Sequence, residues 1–289
     1  MRFASVLHDG QPHAVAIDDQ TAVPLIDVAE LGAQTPNDLL RDPPLDREAA
    51  FALSEATIRP LIPRPEKVIC VGLNYKAHIE ETQREDSDYP VLFTKFANSL
   101  TGAYDTIACP PESEAIDYEG ELAVIISAAA RRVTPDRALE FVAGYTVAND
   151  VTMRDYQYKT HQWLQGKAWE ASTPLGPELV TPDEAGDPAE LSLRTLVNGE
   201  VVQEATTDLL IFPIPTLISV ISEFTTLRPG DVILTGTPAG VGFRREPKLL
   251  MGDGDVAVVE IEGIGRLENH FAAAVTLPRV SLPPAYALF

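Results

Sequence analysis

Residues 117–126 read Asp117-Tyr118-Glu119-Gly120-Glu121-Leu122-Ala123-Val124-Ile125-Ile126, two glutamates one residue apart that run straight into five apolar side chains. From residue 119 to 127 this has the length and composition of a buried β-strand. Side chains on a strand alternate between its faces, so Glu119 and Glu121 share one face, about 6–7 Å apart along the chain. Two carboxylates held that close repel each other unless something positive sits between them. A hard divalent cation meets that need, because Mg2+ and Mn2+ prefer oxygen ligands; a solvent-facing pair is the plainer alternative. A third acid, Asp150, follows residues 145–149, where an apolar strand gives way to polar sequence.

Working outward, residues 68–72, 144–147, 191–198, 200–203, 231–235 and 256–261 also read as strands. Asn198-Gly199 is the strongest short hairpin signal in the chain. Residues 212–226 carry apolar side chains near helical spacing and stop before Pro229-Gly230, which predicts a helix. Strands outnumber helices and no regular strand–helix alternation appears, so the predicted class is α+β, mainly β. The first 65 residues read as a small N-terminal domain of short strands around the Asp9-Gly10 turn. A proline-bearing linker-like stretch (34–47) and Pro60, Pro63 and Pro65 close it, leaving 66–289 as the second domain.

Composition narrows the function. Of 289 residues, 45% are hydrophobic and 22% charged, the balance of a globular protein with a real core. The net charge of −21 opposes binding to nucleic acid or to an anionic membrane. A small acidic substrate would need locally placed cations or a metal. Cys70 and Cys109 lack CxxC spacing and read as reduced, buried thiols. The N-terminus loses its apolar character too early for a signal peptide, and no apolar run is long enough to span a membrane, so a cytoplasmic location is expected.

Other residues suit chemistry. His78 and Glu81 are three apart, neighbours on a helical turn, where a carboxylate orients an imidazole as a general base. The five acids between Glu80 and Asp88 read as a solvated loop. Lys167, after Gln165-Gly166, has the charge to hold a carboxylate or stabilise developing negative charge. Residues 235–242, Thr-Gly-Thr-Pro-Ala-Gly-Val-Gly, lack phosphate-loop and dinucleotide spacing and read as a tight turn able to touch a small anion. No Gly-x-Ser-x-Gly elbow is present.

In order along the chain stand Gly72-Leu73-Asn74-Tyr75-x-x-His78, Asp117-Tyr118-Glu119-x-Glu121, Asn149-Asp150-Val151-Thr152-x-Arg154-Asp155, Lys167, Pro174-Leu175-Gly176-Pro177, Val197-Asn198-Gly199, residues 230–242 and Ile261-Glu262-Gly263-Ile264-Gly265. This series resembles the fumarylacetoacetate hydrolase family over about residues 67–275. The resemblance implies a mixed β-roll or barrel core, a homodimer, and a Mg2+ or Mn2+ ion held by Glu119, Glu121 and Asp150. It implies that His78 and Glu81 form the water-activating dyad of the acylpyruvase members, under a lid made by the acidic stretch. Lys167 would face the substrate, with Tyr75, Arg154, Gln157 and Thr237 as substrate contacts. Leu73 departs from the pattern, since some acylpyruvases carry arginine there. The implied activity is metal-dependent hydrolysis of the C–C bond of an acylpyruvate such as fumarylpyruvate, in aromatic-compound catabolism. Oxaloacetate decarboxylation and isomerisation of 2-hydroxyhepta-2,4-diene-1,7-dioate use the same chelated 2-oxo acid. A 2-oxo-acid-binding sensor is the non-catalytic rival.

Overall fold

The acidic segment folds as the strand Gly120–Ile126, and every residue of it is buried. In the computed structural model, which describes residues 1–82 and 87–274, it pairs antiparallel with Val142–Asn149 on one side and Val232–Leu234 on the other. Beyond Val232–Leu234 come Val68–Gly72, joined in parallel, and Val91–Lys95. In the other direction the sheet continues through Thr173–Val180, Arg2–His8, Gln11–Asp18, Thr21–Pro24 and Phe51–Ala52. Among the described residues this sheet has 12 strands, and its path stays open rather than closing into a barrel. The mainly β, α+β architecture is therefore realised as open mixed sheets. Residues 1–65 supply one wing of the large sheet, because Arg2–His8 pairs directly with Thr173–Val180.

A second sheet orders Glu200–Thr206, Ser192–Val197, Val256–Ile261, Gly265–Ala273 and Ile107–Cys109. The two sheets sandwich one core: Leu122, Val124 and Ile126 face Leu193, Val259, Ile261 and Leu267. Ala123 and Ile125 face the other way, onto Leu61, Ile62, Cys70 and Val232. Both faces of the strand are covered, which accounts for its unbroken apolar run. The predicted helix spans Ile214–Phe224, starting after Pro213, and buries Ile214, Leu217, Ile218 and Ile221 on one stripe. The turns at Asp9-Gly10 and Asn198-Gly199 have positive φ at both residues, the geometry that two-residue hairpins require. Within the linker-like stretch a short helix forms, Asn37–Arg41. Cys70 is buried and Cys109 half-buried, and both are free thiols. Among the described residues no helix is long and apolar enough to cross a membrane. The centre of the acidic stretch expected to form a lid, residues 83–86, lies outside the described residues, as does the end of the expected second domain, beyond residue 274.

Candidate active site and metal centre

Pairing of Gly120 with Asn149 and Glu121 with Ala148 brings the start of one strand to the end of its neighbour. Just beyond the last rung, the Asp150 amide donates to the Glu119 carbonyl (2.8 Å), and the Glu119 amide donates to Asn149 Oδ1 (2.9 Å). The register thus places the third acid beside the first two. Ligand atoms of Glu119, Glu121 and Asp150 all lie within 4.8 Å of one another, and all three residues are buried. Gly120 between the glutamates is a packing requirement. A Cβ there would overlap Thr195 Oγ1 of the second sheet.

Three cations thread this cluster. Lys167 Nζ donates to Glu119 Oε2 (2.6 Å) and Asp150 Oδ2 (2.7 Å). Arg154 donates from Nε to Asp117 Oδ2 (2.8 Å) and from Nη1 to Gln157 Oε1 (3.0 Å), and its Nη2 lies 2.6 Å from Glu119 Oε1. Lys95, which carried no signal in the sequence, is buried with Nζ 2.7 Å from Asp150 Oδ1 and donates to the backbone carbonyl of Lys167. Lys167 reaches its place because the helix Leu164–Lys167 lies flat on the helix Arg154–Gln157. A Cβ on Gly166 would stand 2.5 Å from the Gln157 amide nitrogen.

The electrostatics split the glutamates. Burial alone would raise both carboxyl pKa values. For Glu119, Lys167 and Arg154 overcome that burial and hold it below the usual carboxylate range. Glu121 is pushed well above that range, by burial first and then by the charges of Asp150 and Glu119, despite the hydrogen bond from the Gly236 amide. Lys167 and Arg154 are raised in turn, their partners' charges outweighing desolvation, so both stay cationic. Three mutually close buried acids of this chemistry, one of them driven toward its neutral form by burial and by the others, fit a divalent cation's need for hard oxygen donors.

His78 and Glu81 come together as the sequence predicts, on the helix Lys76–Thr82, with His78 Nδ1 3.2 Å from Glu81 Oε2. The other oxygen, Glu81 Oε1, accepts from the Gly240 amide (3.0 Å). The glycine-rich turn therefore binds carboxylates of this chain. Gly236 donates to Glu121, Gly240 to Glu81, and Gly242 and Phe243 to Asp117. Gly236 and Gly240 do so with φ of +105° each, which only glycine adopts without strain. Asp117, to which the sequence alone assigns no role, locks this turn against Arg154.

One narrow cavity of about 30 Å3 gathers the set: His78, Glu119, Glu121, Arg154, Gln157, Lys167 and Thr237 line it, with Leu73, Tyr158 and Trp163 among its walls. Leu73 takes φ +58° at the end of the Val68–Gly72 strand. Tyr75 is not among the lining residues. It packs in the inter-sheet core beside Val71 and Leu122, its hydroxyl buried without a hydrogen-bond partner among the described residues and its pKa raised by that burial.

Residues 67–272 match the model of the fumarylacetoacetate (FAA) hydrolase C-terminal domain. The chain belongs to the fumarylacetoacetate hydrolase family. The fumarylacetoacetate hydrolase of Exiguobacterium antarcticum superposes with a TM-score of 0.84 at 37% identity, over 95% of this chain and 100% of that one. The 5-carboxymethyl-2-hydroxymuconate delta-isomerase of Mycobacterium smegmatis does so with a TM-score of 0.81 at 33% identity and the same coverage. Among curated family members, the mitochondrial oxaloacetate tautomerase of Rattus norvegicus is 44% identical over 217 residues, 75% of this chain and 69% of that one.

Proposed function

We propose that this enzyme moves a proton between carbon and oxygen of a small 2-oxo diacid, and that keto–enol interconversion of oxaloacetate is its reaction. The supporting observation is His78: a buried imidazole on the cavity wall whose Nδ1 is taken by Glu81, leaving Nε2 to a substrate. Histidine is the side-chain type suited to exchanging protons near neutral pH. Lys167 and Arg154 are locked in the cationic form and suit binding, not proton abstraction. The named activities of the rat tautomerase and the mycobacterial delta-isomerase favour the same class over hydrolysis.

In this reading His78 takes a proton from C3 of the keto form, the electron pair shifts toward the C2 oxygen, and the protonated His78 gives its proton to that oxygen; the reverse returns the ketone. A divalent cation held by Glu119, Glu121 and Asp150 would supply Lewis acidity to the 2-oxo group. Lys167 balances the charge that grows on the C2 oxygen, Gln157 and Thr237 contact the carboxylates, and Glu81 keeps the imidazole in one orientation. Tyr75 would act from behind the cavity, as support. A homodimer and a cytoplasmic location belong to the same proposal.

The test follows enol absorbance of oxaloacetate together with pyruvate release from oxaloacetate and fumarylpyruvate, with Mn2+ present. We expect fast loss of enol without pyruvate, and a His78→Asn variant that loses 100-fold or more in kcat, on the order typical of a general base, while keeping metal affinity. Faster release of pyruvate from fumarylpyruvate would overturn the tautomerase reading in favour of hydrolysis; release from oxaloacetate would favour decarboxylation.

A further inference from the structure

Every buried cation of the site is already matched: Arg154 by Asp117 and Glu119, Lys167 by Glu119 and Asp150, Lys95 by Asp150. They offer an incoming dianion little net attraction, and the molecule as a whole carries −21. At the rim stand cations without such carboxylate partners among the described residues. Tyr158, a wall of the cavity that is 42% exposed, lies beside Phe243 with ring centroids 5.6 Å apart. Lys248 Nζ sits 3.8 Å from the centre of the Phe243 ring, and Arg244 lies 5.9 Å from the same centre with Nη2 3.5 Å from the Tyr158 hydroxyl. Lys159, the next residue along, sits over Tyr156. Arg245 spends its guanidinium on the carbonyls of Gly240 and Val202. Among the described residues none of these four cations has a carboxylate within ion-pair distance, and Glu246, the acid between them, is exposed.

We infer that Arg244 and Lys248, mounted on the Phe243–Tyr158 aromatic pair, form an entrance subsite that captures small dianions and feeds them to the cavity. The inference rests on the proposed diacid substrate but concerns capture, not chemistry. Unpaired cations beside a cleft raise the local concentration of anionic ligand, an effect that salt screens over about 8–10 Å. The aromatic mounts hold both charges at the rim by cation–π contact, without neutralising them as a carboxylate would.

The probe is oxalate, whose binding to the Mn2+-loaded protein is measured by calorimetry at low and high salt, for wild type and for Arg244→Glu/Lys248→Glu. Both side chains are exposed, and a thermal melt checks that the variant folds. We expect oxalate affinity to fall about ten-fold or more at low salt, with the gap closing at high salt, and Arg244→Gln/Lys248→Gln to fall between. An unchanged affinity, a loss independent of salt, or wild-type protein that binds no oxalate would overturn the subsite. Oxaloacetate turnover is scored separately. Wild type that binds oxalate in this salt-dependent way yet leaves oxaloacetate untouched keeps the subsite and removes the tautomerase reading.

Discussion

At Asp150 the two carboxylate oxygens meet different lysines: Oδ2 takes Lys167 and Oδ1 takes Lys95. Lys167 was legible because its place in a series of spaced motifs matched a family. Lys95 was not, since a lysine closing the strand Val91–Lys95 reads locally as a solvated end, and only the fold turns it inward. Removing it should be costly. Lys95→Met leaves the Asp150 carboxylate held by Lys167 but takes the cation from its Oδ1, and breaking one side of a buried pair costs up to about 3–5 kcal/mol. Urea unfolding of the metal-free variant should show a loss in that range; a change under about 0.5 kcal/mol, the level of an ordinary surface substitution, would mean that Lys95 is not a counterion of the cluster. Asp117 escaped a functional reading for a similar reason. Its partners, Arg154 and the amides of Gly242 and Phe243, are far away in sequence.

Among the elements, strands with continuous apolar runs and hairpins with Asp-Gly or Asn-Gly turns were readable from local chemistry. Their order in the sheet was not: nothing near Val232–Leu234 announces that it slots between Gly120–Ile126 and Val68–Gly72. The glycine-rich turn shows the same limit. Its composition suggests a cradle for an anion, but its amides are taken by carboxyl groups of the chain itself, those of Glu121, Glu81 and Asp117. Gly166 offers a test at this scale. In an unobstructed helix Gly→Ala stabilises by up to about 1 kcal/mol. Here the new methyl meets the Gln157 backbone, so Gly166→Ala should instead destabilise by about 1–3 kcal/mol and lower kcat as Lys167 is pushed off its two acids. A higher melting temperature in that variant would show that the two short helices have room to spare.

For the whole molecule, the opposite shifts of Glu119 and Glu121 give the metal-free protein a pH signature. Glu121 titrates above its unfolded value of about 4.3, so its contribution to stability is complete below that pH and is lost as pH rises through the folded value. Glu119 works the other way: its contribution is present above the unfolded value and lost only on strong acidification. Chelated protein should therefore melt at progressively lower temperature as pH rises above about 5, and Glu121→Gln should flatten that slope. Because a divalent cation must displace the Glu121 proton, its affinity should rise over the same window. A metal-free melting temperature that climbs with pH in this range, and a Glu121→Gln variant that behaves identically, would contradict the assigned protonation.

One strand carries two obligations. Glu119 and Glu121 look into the site from one face, while Gly120, Leu122 and Val124 close the gap to the second sheet from the other. Inserting or deleting a single residue between 117 and 126 would exchange those faces, turning carboxylates into the dry sandwich and apolar groups into the cavity. The chemistry of this site can consequently diversify by substitution and by changes in the surrounding loops, but not by length variation here. The spacing of the two glutamates is held fixed by the packing of the core as firmly as by anything they bind.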